Sequence, residues 1–96
     1  MARVVLASAL SRWLPQAPPG GGEVALEVPG GSLAEALEGV FARHPTLRGY
    51  VLDERGAVRH HVAVFVDGEA IRDKRDLGQV LGANAEVYVM QALSGG

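Results

Sequence analysis

The chemistry this chain could offer sits at its end. The last five residues are Ala92-Leu93-Ser94-Gly95-Gly96. Glycine brings no side chain to pack and loses the most conformational freedom on ordering, so two closing glycines contribute little to a fold. With thirteen glycines in 96 residues, a chance Gly-Gly end is roughly a 2% event, so an inert frayed terminus stays open as one reading. The other reading is chemical. A terminal carboxylate is ionised at neutral pH and is a poor electrophile. It becomes an acyl donor only after activation, for example as a mixed anhydride with AMP, and that requires a second protein with a narrow catalytic cleft. Gly95 and Gly96 would thread such a cleft without side-chain clashes, with Ser94 behind them and Leu93 anchoring the entry in an apolar slot. Five extended residues reach at most about 17 Å, enough to enter an active site while the body stays docked outside.

Other reactive side chains do not converge. There is no cysteine, which excludes disulfides, thiolate zinc sites and a cysteine nucleophile. The histidines are His44, His60 and His61. Adjacent residues entering a strand point to opposite faces, and the ligand spacing of known zinc sites is missing, so no metal site is expected. Ser8, Ser11, Ser32 and Ser94 have no histidine and acid set around them, and no catalytic residue is assigned. Gly20-Gly21-Gly22 and Gly30-Gly31 lack a following Gly-Lys-Ser/Thr and open no G-x-G-x-x-G helix, so loop flexibility is expected there rather than a phosphate cradle. Arg72, Lys74 and Arg75 form a small basic cluster, read as a solvated face or, alternatively, a contact for an acidic partner.

Composition bounds the rest. Ninety-six residues support one core. Nine basic against eleven acidic groups argue against a nucleic-acid footprint, which needs a clustered basic surface. Arg12 and then Pro15, Pro18 and Pro19 break the short N-terminal apolar run too early for a signal peptide. No apolar stretch approaches the ~18 residues of a membrane span. A cytoplasmic protein without membrane contact is expected.

The elements that must position the end follow from periodicity. Arg3–Ala7 reads as a strand, Ser8–Leu14 is ambiguous, and Pro15–Gly22 is a loop. Glu23–Val28 alternates, with Val24, Leu26 and Val28 on one face. Ser32 and Glu35 have the capping-box spacing, and Leu33, Ala36, Leu37, Val40 and Phe41 form one helical stripe that ends at Pro45. Thr46–Gly56 is less regular, with Tyr50–Leu52 as a short extended piece and Asp53–Gly56 as a turn. His61–Val66 is the strongest strand, Asp67-Gly68 a tight turn and Ala70–Arg72 a return strand. Asp76–Leu81 is read as a short helical turn, and Glu86–Gln91 as the last strand.

One helix cannot cover both faces of such a sheet, so it packs on one and leaves the other open. First and last strands become central neighbours. The expectation is α+β: a β-grasp, ubiquitin-like fold, with a mixed four- to five-stranded sheet and one main helix on one face. Residues 1–91 form the domain and residues 92–96 a flexible tail. If the strand valines face the helix, Phe65, Tyr88 and Met90 face outward, either over a second small core or as a docking patch.

The chain resembles the MoaD/ThiS-type sulfur carriers along most of its length. The residues that carry the resemblance are RVVLA, GGSLAEALEGVFARHP, VAVFVDGEAIR and, most specifically, NAEVYVMQALSGG. The family includes the small subunit of molybdopterin synthase, the thiamin-pathway carrier, a cysteine-biosynthesis carrier and the archaeal ubiquitin-like modifiers. The resemblance implies that an E1-like adenylyltransferase uses ATP to adenylate Gly96. Sulfur then replaces AMP, and the thiocarboxylate serves an acceptor enzyme such as a molybdopterin synthase large subunit. It also implies a carrier that binds no cofactor and has no catalytic site of its own. Products on this pattern are molybdopterin, thiamin, cysteine or thionucleosides; the alternative is conjugation through Gly96 to target lysines. Met90 stands where molybdopterin-synthase small subunits carry an aromatic that meets the large subunit. FVDGEAIR and its long preceding loop look more like the cysteine-pathway carriers and archaeal modifiers.

Overall fold

In a computed structural model of the chain, the described residues are 1–11 and 22–91. They form five strands and three helices: β1 (Ala2–Leu6), α1 (Ser8–Ser11), β2 (Val24–Val28), α2 (Leu33–Arg43), α3 (Thr46–Val51), β3 (Val62–Val66), β4 (Glu69–Ala70) and β5 (Glu86–Gln91). The sheet order is β2-β1-β5-β3-β4. β1 and β5 run parallel, and the other three pairs are antiparallel. This mixed sheet with a helix on one face is the expected β-grasp fold, and first and last strands are neighbours as the element order predicts.

The alternation of side chains decides which face is covered. Ala2, Val4 and Leu6 of β1, Val24, Leu26 and Val28 of β2, the three valines of β3, and Val87 and Val89 of β5 are all buried in one cluster. The period of two puts them on the same side of the sheet. α2 closes this cluster with Leu33, Ala36, Leu37, Val40 and Phe41, the stripe read from its spacing. At the N-terminus of α2, the Ser32 hydroxyl accepts the Glu35 N–H at 3.2 Å and donates to the Glu35 carboxylate. That carboxylate also accepts the Gly31 N–H at 3.3 Å, so the reciprocal half of the capping box lands one residue earlier than the motif predicts. Two more free N–H groups of this helix end are taken by backbone: Leu33 donates to the Gln79 carbonyl and Ala34 to the Leu77 carbonyl. This is why Asp76–Leu81 is not the predicted helical turn. It runs extended past α2, bridging Ser32 at Val80, because its carbonyls are acceptors for a buried helix end.

A second correction concerns Thr46–Val51, which is helical. Leu47 and Val51, four residues apart, are both buried. Pro45 stops α2 and at once serves as the N-cap of α3, a position where its missing N–H costs nothing. Tyr50 and Val51 are therefore not extended, and only Leu52 is, bridging Val58. Arg48 ties the two helices, pairing with the Glu38 carboxylate and lying 5.1 Å from the centre of the Phe41 ring. Asp53–Gly56 turns as predicted, with the Asp53 carboxylate accepting the Arg55 and Ala57 N–H groups.

Asp67 and Gly68 both have positive φ, 50° and 87°, the requirement of the two-residue turn that matches strand twist. The return strand β4 is shorter than Ala70–Arg72; it pairs at Glu69 and Ala70, and Ile71 adds one further bond to Val64. The ambiguous segment contains the one-turn α1, whose Leu10 is fully buried. The Ser11 hydroxyl, also buried, donates to the Gly22 carbonyl. That bond joins the two residues flanking 12–21; of the predicted Pro15–Gly22 loop, all but Gly22 lies outside the described residues.

Candidate functional site

β5 is the strand that leads to the end of the chain, and it is the centre of the sheet. One edge pairs with β1 and the other with β3, over Arg3–Leu6 and Val62–Val66. Its last pair is Gln91 with Val62, and residue 92 follows directly. Leu93, Ser94, Gly95 and Gly96, the residues assigned to threading and activation, lie outside the described residues, as does Ala92.

With Val87 and Val89 turned to the core, Tyr88 and Met90 take the opposite face. β3 repeats the pattern: Val62, Val64 and Val66 are buried, and Ala63 and Phe65 are half-exposed on the outer side. The register then brings the predicted residues together. Phe65 is directly opposite Tyr88, and Met90 is opposite Ala63. Tyr88 is opposite Val5, Val5 opposite Ala25, and Phe65 opposite Ala70. One apolar row, Ala25-Val5-Tyr88-Phe65-Ala70, thus crosses all five strands, and Ala63 and Met90 extend it toward the end where β5 stops. In the other direction lies a charged row, Glu27-Arg3-Glu86, with Arg3 and Glu86 paired at 3.9 Å. The outer face is therefore graded, apolar near residue 92 and charged at the far end.

The sequence reading missed Val5 in this row. It points outward yet is only 6% exposed. The cause is Tyr88, whose hydroxyl donates to the Glu23 carboxylate at the head of β2. A bond from β5 to β2 must pass over β1, and the phenol ring lies across Val5. The same bond raises the Tyr88 hydroxyl above its ordinary pKa, because the neutral phenol is the donor and a phenolate would face the carboxylate. Glu23 and Tyr88 are far apart in sequence, and nothing local signals their contact.

At the β3 entrance the expectation is corrected. β3 begins at Val62, so His60 and His61 lie in a turn rather than on opposite strand faces. Their rings meet edge to face at 5.9 Å, and His61 meets Tyr50 at 6.0 Å. Among the described residues no group of three His, Asp or Glu side chains could hold a metal. No described helix is long and apolar enough to cross a membrane. The Arg72-Lys74-Arg75 cluster is not uniformly solvated: Lys74 is half-buried and its ammonium donates to the Arg59 and His60 carbonyls.

Comparison with known proteins gives the fold its context. No protein-family model matches the sequence, and no curated protein matches it. Solved structures do. Small archaeal modifier protein 1 from Haloferax volcanii is 26% identical, with a TM-score of 0.71 over 99% of this chain and 98% of its own. CysO from Amycolatopsis orientalis, in its complex with BexX, is 21% identical, with a TM-score of 0.72 over 97% of this chain and 99% of its own. CysO from Mycobacterium tuberculosis is 17% identical, with a TM-score of 0.72 over 94% of this chain and 99% of its own. The structural neighbours of this chain are the ubiquitin-like sulfur carriers of the MoaD/ThiS type, SAMP1 and CysO among them.

Proposed function

We propose that this chain is a cytoplasmic sulfur carrier whose reactive group is the Gly96 carboxyl. An E1-like adenylyltransferase consumes ATP to form the acyl adenylate. A sulfur donor then attacks the acyl carbon, the new C–S bond replaces the C–O bond to AMP, and AMP leaves. The resulting thiocarboxylate passes sulfur to an acceptor enzyme, in molybdopterin, thiamin, cysteine or thionucleoside formation. The body of the protein does no catalysis.

The observation that carries this reading is the position of β5. A carrier must present its end from something rigid, and this strand is paired on both edges as far as Val89 and by β3 as far as Gln91. Beside that point lie Phe65, Tyr88 and Met90, the surface on which activating and accepting enzymes would dock while Leu93 to Gly96 enter their clefts. The complex of CysO with BexX supports an acceptor-type partner for a chain of this shape.

The likeness to small archaeal modifier protein 1, at 26% identity, favours a second reading, conjugation of Gly96 to lysines of target proteins. Both need the same activation. Intact mass after incubation with an E1-like enzyme, ATP and a sulfur source separates them. A gain of about 16 Da, oxygen replaced by sulfur, is expected for the carrier, and lysine-linked adducts for the modifier, since the activated acyl group goes to whichever nucleophile is presented. No change in mass overturns both.

A further inference from the structure

Part of the basic cluster at Arg72, Lys74 and Arg75 belongs to a concave wall. The 73–75 turn is tied to the entrance of β3. The Lys74 carbonyl accepts the Val58 N–H at 2.9 Å, and the Lys74 ammonium donates to the carbonyls of Arg59 at 3.1 Å and His60 at 3.0 Å. Beside these bonds lies a surface cavity of about 350 Å³, whose wall includes Asp53, Arg59, His60, His61, Lys74 and Arg75. That volume falls at the small end of the range for ligand pockets. Arg72, adjacent in sequence, is not on this wall. Three permanent cations, Arg59, Lys74 and Arg75, thus meet one carboxylate, Asp53, in a chain whose formal net charge is -2.

The cations are held in place, and two of them have no ionic partner. An ammonium has three N–H donors, and Lys74 directs two of them at neutral backbone carbonyls. Among the described residues no carboxylate comes within ion-pair distance of Lys74 or Arg59. Lys74 is half-buried, and a cation partly withdrawn from water is stabilised by an anion beside it. Arg59 is anchored through its Nε, which donates to the Gly49 carbonyl at 2.8 Å, and no bond to a described residue engages its two Nη groups. Arg75, at the exposed rim, is steadied by Asp73 at 3.4 Å. Asp53 opposes an incoming anion only weakly, because its Oδ1 already accepts the Arg55 and Ala57 N–H groups of its own turn.

We infer that the cavity between the 73–75 turn and the β3 entrance binds a phosphate-type oxyanion, free or as the phosphoryl group of a nucleotide, through Lys74, Arg59 and Arg75. A lysine point charge beside forked guanidinium donors matches a tetrahedral group with several acceptor oxygens. Side chains fixed beforehand lower the ordering cost of binding. The cavity shares no residue with the apolar row of the outer face, and its chemistry does not depend on activation of Gly96.

The full chain carries its own reporters. His60 and His61 line the cavity and His44 does not. Their imidazole signals are followed by NMR at about pH 7.5, where histidine is largely neutral, and at constant ionic strength, so that general screening is fixed. Inorganic phosphate, pyrophosphate and AMP are titrated separately. Saturable shifts of His60 and His61, with His44 unmoved, are expected. AMP binding at least as tightly as phosphate assigns the site to a nucleotide phosphoryl group, and binding of the inorganic anions alone assigns it to a free one. K74Q should weaken binding at least about tenfold, since a charge-assisted hydrogen bond is lost. R75Q, whose side chain is exposed, should weaken it in the same direction and carries the test if circular dichroism shows K74Q unfolded. R72Q removes the same charge away from the wall and should change affinity by no more than about twofold. No saturable shift up to about 50 mM of any of the three anions overturns the inference, as does equal weakening by R72Q. Tighter binding of a Glu-rich peptide than of pyrophosphate also overturns it, and makes the wall a contact for an acidic protein.

Discussion

Replacing Gly30 with alanine tests what the Gly30-Gly31 pair is for. By sequence the pair suits a mobile loop. By structure Gly30 is where β2 hands over to α2 with backbone against backbone. A Cβ on Gly30 would stand 2.8 Å from the Ala36 nitrogen and 3.1 Å from the Ala36 Cα. Ordinary carbon contacts begin near about 3.5 Å. The obstructing atoms belong to the first turns of a capped helix, so no flexible side chain can swing away. The methyl group must push α2 off the strand valines it covers. Overpacking of this kind costs about 1–3 kcal/mol. At about 4–8 °C per kcal/mol for a domain of this size, the melting temperature should fall by roughly 5–20 °C. The matched control is Gly49→Ala in α3. Nothing lies within 4 Å of the point its Cβ would occupy, and alanine in a helix is favoured over glycine by about 1 kcal/mol. That variant should melt several degrees higher. Differential scanning calorimetry on both reads the sign directly. An unchanged Gly30→Ala melting temperature would refute the close-packing argument, and a destabilised Gly49→Ala would refute the assignment of α3.

Three further outcomes follow from the same contacts. Ser32→Ala removes the acceptor of the Glu35 N–H and should cost about 1 kcal/mol in urea unfolding; a loss below a few tenths would mean that the Leu77 and Gln79 carbonyls alone sustain the helix end. Tyr88→Phe removes the bond to Glu23 and should cost at most about 1 kcal/mol, because the site is half-exposed. The pKa of this phenol is raised on folding, so the contribution is fully present below the unfolded value of about 10 and is lost as pH rises through the folded value. The wild-type and variant stability curves should therefore converge above pH 10, and a gap that persists there would exclude the linkage. Deleting Gly95-Gly96 should leave thermal unfolding unchanged while abolishing transfer to any acceptor; a large drop in stability would make the pair structural.

The sheet was legible because its inward positions are written in valine and leucine at a period of two, and α2 because its stripe and cap agree. β5 could be placed beside β1 because a single helix must return the chain to the same sheet. Where the sequence misled, long-range satisfaction overrode local pattern. Asp76–Leu81 carries helix-like apolar spacing, but Leu77 and Gln79 spend their carbonyls on α2. Thr46–Val51 is short and contains Gly49, a poor helix former, and Pro45 reads only as the stop of α2 although it also suits a helix start; burial of Leu47 and Val51 decides the matter. Phe65, Tyr88 and Met90 were placed on the outer face by parity alone. Val5 was missed because its partner in concealment, Tyr88, is held across β1 by an acid 65 residues away.

These two kinds of residue, the legible and the hidden, divide the protein by task. What the periodicity fixes is the scaffold, a core that any chain of this pattern would bury. What it leaves open is how the outer face and the β3 entrance are finished, and there this chain is specific. The Tyr88 hydroxyl is held by Glu23, and the apolar row to which Tyr88 belongs runs across all five strands. Lys74 is turned onto two carbonyls beside the last pair of β5. On the proposed carrier reading, the apolar row is the surface that an activating or accepting enzyme would meet. That reading gives the row a use that a purely structural β-grasp domain would not.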